Sequence, residues 1–311
     1  MEEVCMPIVA AAGSVVVEPL DRQAILRQVD RCPQLPSLRR IGASLREMLD
    51  ADQRYLAQVS DLIRRDPSLT SHVFQLANSA FFSLSRQVKT VEEAVLHLGI
   101  RRVRQLAMST PVVDDFQKLT GPCRFHWRGF WQHCLGTAMI TRELTRFAGD
   151  EVSELVYVAG LLHDVGKIVL ATQFPEHFKA ITEAAQAEGG DLREHEIRLL
   201  GMDHGELGAE YLSAHSLPDA LIEAARHHSH PELCSGPSEV VVAAVATANL
   251  LSHFGKLGAS GNPQVVQRET WLHSTGWQIL EQHMPPRDMG DMERELLRMV
   301  GRLRPVLEFV V

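Results

Sequence analysis

Apolar residues recur at intervals of three and four along almost the whole chain, and strand-like alternation is scarce. That period places them on one face of a helix, so the pattern predicts an all-α protein built from amphipathic helices. With 311 residues and 45% hydrophobic content, the chain can bury one large core or two smaller ones. Ile25, Leu26 and Val29 mark a short first helix. Pro36 opens a second, with Leu38, Ile41, Leu45 and Leu49 on one face, and Leu56, Val59 and Ile63 mark a third. Asp66-Pro67 supplies an N-cap followed by proline in the first turn. Leu69, Val73 and Leu76 carry that helix on to Asn78-Ser79. Thr90 and Glu93 have the spacing of a capping box, and Gly99 stops the helix they start.

The stretch 117–125, with Gly121-Pro122, reads as a connection. A second helical group follows, at about 127–147, 152–163, 175–188, 192–200, 204–215, 218–228 and 240–254. Residues 229–238 hold two prolines and a glycine and read as a loop. Residues 255–263 are glycine-rich and read as a linker or loop, and an amphipathic piece at 292–307 closes the chain. The expected division is a leader at 1–34, an N-terminal helical subdomain at 35–120, a second helical subdomain at 121–255 and a C-terminal helical extension at 256–311.

The net charge of −8 argues against a general nucleic-acid binder. The local cluster Arg101, Arg102 and Arg104 reads as a solvated helix face. Five cysteines are scattered, with no pair at the two-residue spacing of a zinc knuckle or redox motif. A reducing, cytoplasmic compartment is the expectation. The apolar stretch 8–17 follows Glu2 and Glu3 instead of lysine or arginine, so it reads as a leader and not as an export signal. No other apolar run is long enough to span a bilayer.

Chemistry concentrates elsewhere. Ten of the 15 histidines lie between His126 and His230. The doublet His163-Asp164 ends an apolar run and offers one nitrogen and one oxygen ligand at nearly one point. That mix suits a divalent ion such as iron, manganese, zinc or magnesium. His133 falls in the middle of the preceding helix, and two antiparallel helices would bring it beside the doublet. His204 starts a helix after Asp203, and His227-His228 ends one. Singly, each of these is commoner as a cap, a core group or a surface residue; their joint occurrence points to a metal site. Such an ion would lower the pKa of a bound water. Lys167, one turn past Asp164, would hold a phosphate as a point charge, or else meet a helix end or solvent.

His133, His163-Asp164 and Gly166-Lys167 together resemble the HD superfamily of metal-dependent phosphohydrolases. That superfamily adds an aspartate on a later helix, where this chain has Asn249, a neutral and weaker ligand. The pair His227-His228 is similar to the HD-GYP branch, which hydrolyses cyclic di-GMP, but the Gly-Tyr-Pro element is absent. In the first half, Leu35-Pro36-Ser37-Leu38, Asp66-Pro67-Ser68-Leu69, Leu76-Ala77-Asn78-Ser79-Ala80-Phe81-Phe82 and Ala94-Val95-Leu96-His97-Leu98-Gly99 resemble the HDOD domain. The resemblance covers about residues 35–254. It implies a bundle of the HD type with an N-terminal helical subdomain, in a bacterial signal-transduction protein that acts through protein partners. The metal site would be degenerate and without hydrolase activity, comprising His133, His163, Asp164, His204, His227, His228 and Asn249. The alternatives are a metal-dependent phosphohydrolase acting on a nucleotide or phosphoester, with Lys167 on the phosphate, and a metal or ligand sensor that binds without reacting. The partner surface would lie on the N-terminal subdomain, near Asn78 and Ser79, with Phe81 and Phe82 either as exposed anchors or, the commoner case for such residues, as core.

Overall fold

Capping signals and apolar periodicity translate into helices with small shifts of boundary. The structure, a computed structural model, describes residues 17–32, 63, 70, 73–74, 77–78, 88–99, 103, 125–149, 154–286 and 288–310. Among these residues there are thirteen α-helices and no β-strand. They are α1 (Arg22–Asp30), α2 (Val91–Leu98), α3 (Trp127–Phe147), α4 (Glu154–Leu162), α5 (Val165–Gln173), α6 (Pro175–Glu188) and α7 (Leu192–Leu200). Then come α8 (His204–Ala214), α9 (Asp219–His227), a 3-10 turn at Pro231–Leu233, α10 (Glu239–Phe254), α11 (Arg268–Leu272), α12 (Thr275–His283) and α13 (Met289–Val310). Most of the helices expected over 36–78 lie outside the described residues. So do Phe81 and Phe82, the cluster Arg101, Arg102 and Arg104, and nearly all of 8–17.

The N-terminal capping signals act as chemistry demands. Thr90 accepts the Glu93 N–H at 3.1 Å, and the Glu93 carboxylate reaches back to the Lys89 N–H at 2.9 Å. Gly99 leaves α2 at φ 79°, a conformation open to glycine. Asn78 does not cap its own helix. Its Oδ1 accepts the Val88 N–H at 2.7 Å and its Nδ2 donates to the Val88 carbonyl at 3.1 Å. The amide thus satisfies both backbone groups of one residue ten positions away.

In the second half α3 is the axis, packed most extensively on α10 and α4; α8 packs on α9 and α5, and α12 on α10. Phe130, Trp131, Leu144 and Phe147 bury its apolar face. One sequence feature sets the closest crossing. A Cβ on Gly166 would stand 1.8 Å from the His204 carbonyl oxygen and 2.7 Å from the Gly208 nitrogen. Only a residue without a side chain lets the first turn of α5 meet the first turn of α8, and that contact carries His204 up to the His163-Asp164 break.

Part of the expected leader belongs to this bundle. Ile25 and Val29 of α1 are buried, and α1 packs on α8 and α5. The Leu20 N–H donates to Leu199 O at 3.2 Å, and Arg22 pairs with Glu206 of α8. The glycine-rich 255–263 segment also packs: the Ala259 N–H donates to Gly129 O at 2.8 Å on α3. In the C-terminal extension, Trp271 and Trp277 meet edge to face at 5.4 Å, worth about 1 kcal/mol beyond their buried area. Helix α13 lies on α3 and buries Met292, Leu296, Val300, Leu303, Val306 and Leu307. Among the described residues no single helix is long and apolar enough to cross a membrane. The apolar pair α4–α5 is bent by 42° at the His163-Asp164 break.

Candidate metal centre

Asp164 stands at the N-cap position of α5, yet its side chain makes no capping bond. The carboxylate turns into the bundle instead, where the residue is 1% exposed. Its Oδ2 accepts from Lys167 Nζ at 2.7 Å and lies 3.5 Å from His163 Nε2. Its Oδ1 lies 3.1 Å from His204 Nε2 and 3.7 Å from His228 Nε2. His204 is the nearer of the two rings, and Oδ1 has no hydrogen bond of good geometry among the described residues.

Four helices deliver the histidines. His133 comes from the middle of α3 and His163 from the end of α4, so the antiparallel pair does place them together. His204 opens α8, where Asp203 caps the helix by accepting the Glu206 N–H at 2.9 Å. His228 is the C-cap of α9. Three of the four rings are fixed from outside. His163 Nδ1 donates to Gly160 O at 2.8 Å, and His228 Nδ1 to Ala225 O at 2.8 Å. His204 Nδ1 donates to Glu196 Oε2 at 2.7 Å, and the same oxygen accepts the His204 backbone N–H at 2.8 Å. Anchoring one ring nitrogen leaves the other bare, as in metal-ligating histidines held by an outer partner.

The result is two groups sharing one carboxylate. Ligand atoms of His133, His163 and Asp164 lie within 4.8 Å of one another, and so do those of Asp164, His204 and His228. His133 Nε2, His163 Nε2 and Asp164 Oδ1 are buried without a hydrogen-bond partner among the described residues. Stranding such atoms costs about 1–3 kcal/mol each, a cost that a coordinated ion removes. Charge states agree. Burial, above all, pushes the imidazoles of His133, His163 and His228 below their ordinary value, so they are neutral. Burial opposes ionisation of Asp164, but His163, Lys167 and His204 hold its carboxyl well below the usual carboxylate range. Burial also works against a charge on His204, but Glu196 and Asp164 outweigh it and push the ring up to about 9. Three neutral imidazoles beside an ionised carboxylate are the forms a borderline divalent ion takes, and His204 joins them by releasing its proton to the ion, so the donor set fits.

Of the residues singled out from sequence, the structure brings together His133, His163, Asp164, Lys167, His204 and His228. It does not bring His227 there: that ring turns to Glu223 one helical turn back on α9, 3.4 Å away. Adjacent helix positions point about 100° apart, so only one of the His227-His228 pair can face the centre. Asn249 lies on α10 in the wall of a cavity of about 300 Å³, and its Oδ1 is buried and unbonded. Lys167, His204 and His228 line the same cavity, as do Arg193 and His230. Its size falls at the lower end of small-ligand sites. Two residues escaped sequence reasoning. Glu196 has no spacing signal; His253 had one, since it lies one turn beyond Asn249.

Known proteins agree with this architecture. A crystal structure of an HDOD domain protein of unknown function from Geobacter sulfurreducens is 24% identical, with a TM-score of 0.74 over 92% of this chain and 99% of that one. A candidate phosphohydrolase from Shewanella amazonensis SB2B is 27% identical, with a TM-score of 0.67 over 93% and 98% of the two chains. An uncharacterized protein of Treponema pallidum (strain Nichols) is 29% identical over 242 residues, 74% of this chain. The match spans 44% of that relative, less than half its length. The sequence model of the HDOD domain matches residues 35–231, more than half of the chain, which therefore belongs to the HDOD family.

Proposed function

We propose that this protein is a signalling member of its family whose bundle holds a divalent-metal centre for recognising a phosphorylated small ligand, with output to protein partners and without turnover. The observation that carries this reading is the single ionised ligand. Asp164 serves both triads, its Oδ2 already accepts from Lys167 Nζ at 2.7 Å, and Asn249 adds no charge. An ion bound mainly by imidazoles and one shared carboxylate is held less tightly than one with several anionic ligands. Occupancy then follows the available metal and ligand, as sensing requires.

His133, His163 and Asp164 would hold one ion, and Asp164, His204 and His228 a second. A bound ion would polarise a phosphoryl oxygen and acidify a coordinated water. The chain itself supplies the rest: Lys167 on the cavity wall offers a cationic contact, and Asn249 a neutral one. Lys167 also favours a second reading, a metal-dependent phosphohydrolase; phosphohydrolase is the name the Shewanella protein carries.

One experiment separates the two. Metal-free protein is reloaded with iron, manganese or zinc, its metal content is measured, and hydrolysis of p-nitrophenyl phosphate and bis-p-nitrophenyl phosphate is followed. The sensing reading expects metal uptake with no hydrolysis that depends on Asp164. Hydrolysis abolished in Asp164→Ala establishes the enzyme instead. Less than about a tenth of an ion per chain after reloading removes both readings.

A further inference from the structure

Helix α10 presents Ala246, Asn249 and His253 to the cavity, three to four residues apart. We propose that His253 is a further metal ligand of this centre, taking the role that a carboxylate at position 249 would have. The inference rests on the reading of the centre as a metal site and adds a ligand to it.

Proximity is the first argument. The His253 ring centroid is 4.8 Å from that of His133. The corresponding separation is 5.5 Å for His133 and His163, and 5.3 Å for His204 and His228, the pairs that share a triad. His253 is thus nearer to a ligand ring than those rings are to each other. It lies outside both triads as placed, so coordination needs the ring to move or turn.

Anchoring is the second. His163, His204 and His228 each have Nδ1 fixed from outside and Nε2 left for the centre. His253 shows the same arrangement with the nitrogens exchanged. Its Nε2 lies 3.1 Å from Ser260 Oγ, and Nδ1 has no hydrogen bond among the described residues. Ser260 is 2% exposed, and its Oγ accepts the Asn262 N–H at 3.2 Å. The segment carrying Ser260 is seated on α3. Gly258 has φ 74°, and a Cβ there would stand 2.1 Å from Gly129 O and 2.5 Å from His133 N. The anchor of His253 is therefore built against the helix turn that bears His133.

A third imidazole beside His133 and His163 changes the preferred ion. Nitrogen-rich sets favour zinc, cobalt or nickel over manganese and magnesium, which prefer oxygen. The test titrates the metal-free full chain with zinc and, separately, with manganese against a chromophoric chelator. Wild type is compared with His253→Gln and with His253→Phe, which keeps a ring in the wall, and circular dichroism checks folding. Zinc affinity is expected to fall roughly 10- to 100-fold in both variants, and manganese affinity by less than about threefold. The visible spectrum of the cobalt-loaded protein should change with the loss of one imidazole. Variants that keep wild-type zinc affinity within about twofold overturn this proposal while leaving the metal centre standing. A wild type that takes up no ion overturns both.

Discussion

The two triads share Asp164 and differ in nearly everything else. The group of Asp164, His204 and His228 has a second carboxylate behind it, because Glu196 Oε2 bonds His204 Nδ1 at 2.7 Å. In the group of His133, His163 and Asp164, two ring nitrogens are buried and bare. One half balances charge with a protonated histidine. The other leaves neutral ligands unsatisfied. An ion held by His133, His163 and Asp164 displaces no proton, whereas an ion held by Asp164, His204 and His228 must expel one from His204 below pH 9. The centre is thus asymmetric in its response to pH although its ligands look alike in sequence.

Removing the shared residue should have the largest effect. Asp164→Ala strips both triads and leaves the Lys167 ammonium, 3% exposed, without its 2.7 Å partner. A buried charge deprived of its partner costs about 3–5 kcal/mol, read by urea unfolding of the metal-free protein. Asp164→Ala combined with Lys167→Met should recover most of that loss while still taking up no metal. A single variant as stable as wild type would show that the pair balances nothing.

Glu196→Gln breaks the second triad alone. His204 is raised from 6.5 to about 9, so its stabilisation is complete below pH 6.5 and is lost as pH rises through 9. Metal-free wild type should lose roughly 3 kcal/mol across that window. The variant should start lower and stay flat there, and excess metal should remove the slope from wild type. An equal slope in both proteins would place the titrating group elsewhere.

Where sequence reasoning succeeded and where it failed follow the same physics. Helices α3, α6 and α7 are legible because one face is apolar and their ends carry capping signals, such as Asp191 accepting the Arg193 N–H. Helix α5 was not legible. Val165, Ile168, Val169 and Leu170 are buried on all sides, which erases the period that marks a half-exposed helix. The His163-Asp164 doublet, Lys167 and His133 were legible as types at a spacing. Glu196 was not, because its position depends on how α7 crosses α8, and a long-range crossing leaves no local trace. The pair His227-His228 was ambiguous for a rotational reason, settled only by the orientation of α9.

Asn249→Asp sharpens the comparison from the other side. It adds a carboxylate to the cavity wall that Lys167, His204 and His228 share, so metal affinity of the centre should rise about tenfold, or roughly 1.4 kcal/mol, by chelator competition. Affinity within about twofold of wild type would mean that position 249 does not reach the bound ion.

The smallest effect should come from the clasp of α1 on the second triad's wall. Arg22 pairs with Glu206, in the first turn of α8 and two residues past His204, with side chains 47% and 29% exposed. An ion pair this open to solvent contributes about 0.2–1 kcal/mol and is screened by salt. His204 is held independently, since Glu196 bonds both its ring and its backbone N–H. Arg22→Ala should therefore lower the unfolding free energy by less than about 1 kcal/mol and leave metal affinity within about twofold. A tenfold loss of affinity in the second triad alone, with the first unchanged, would mean that α1 sets the position of α8. The N-terminal segment would then be a control element for one half of the centre and not merely part of its packing.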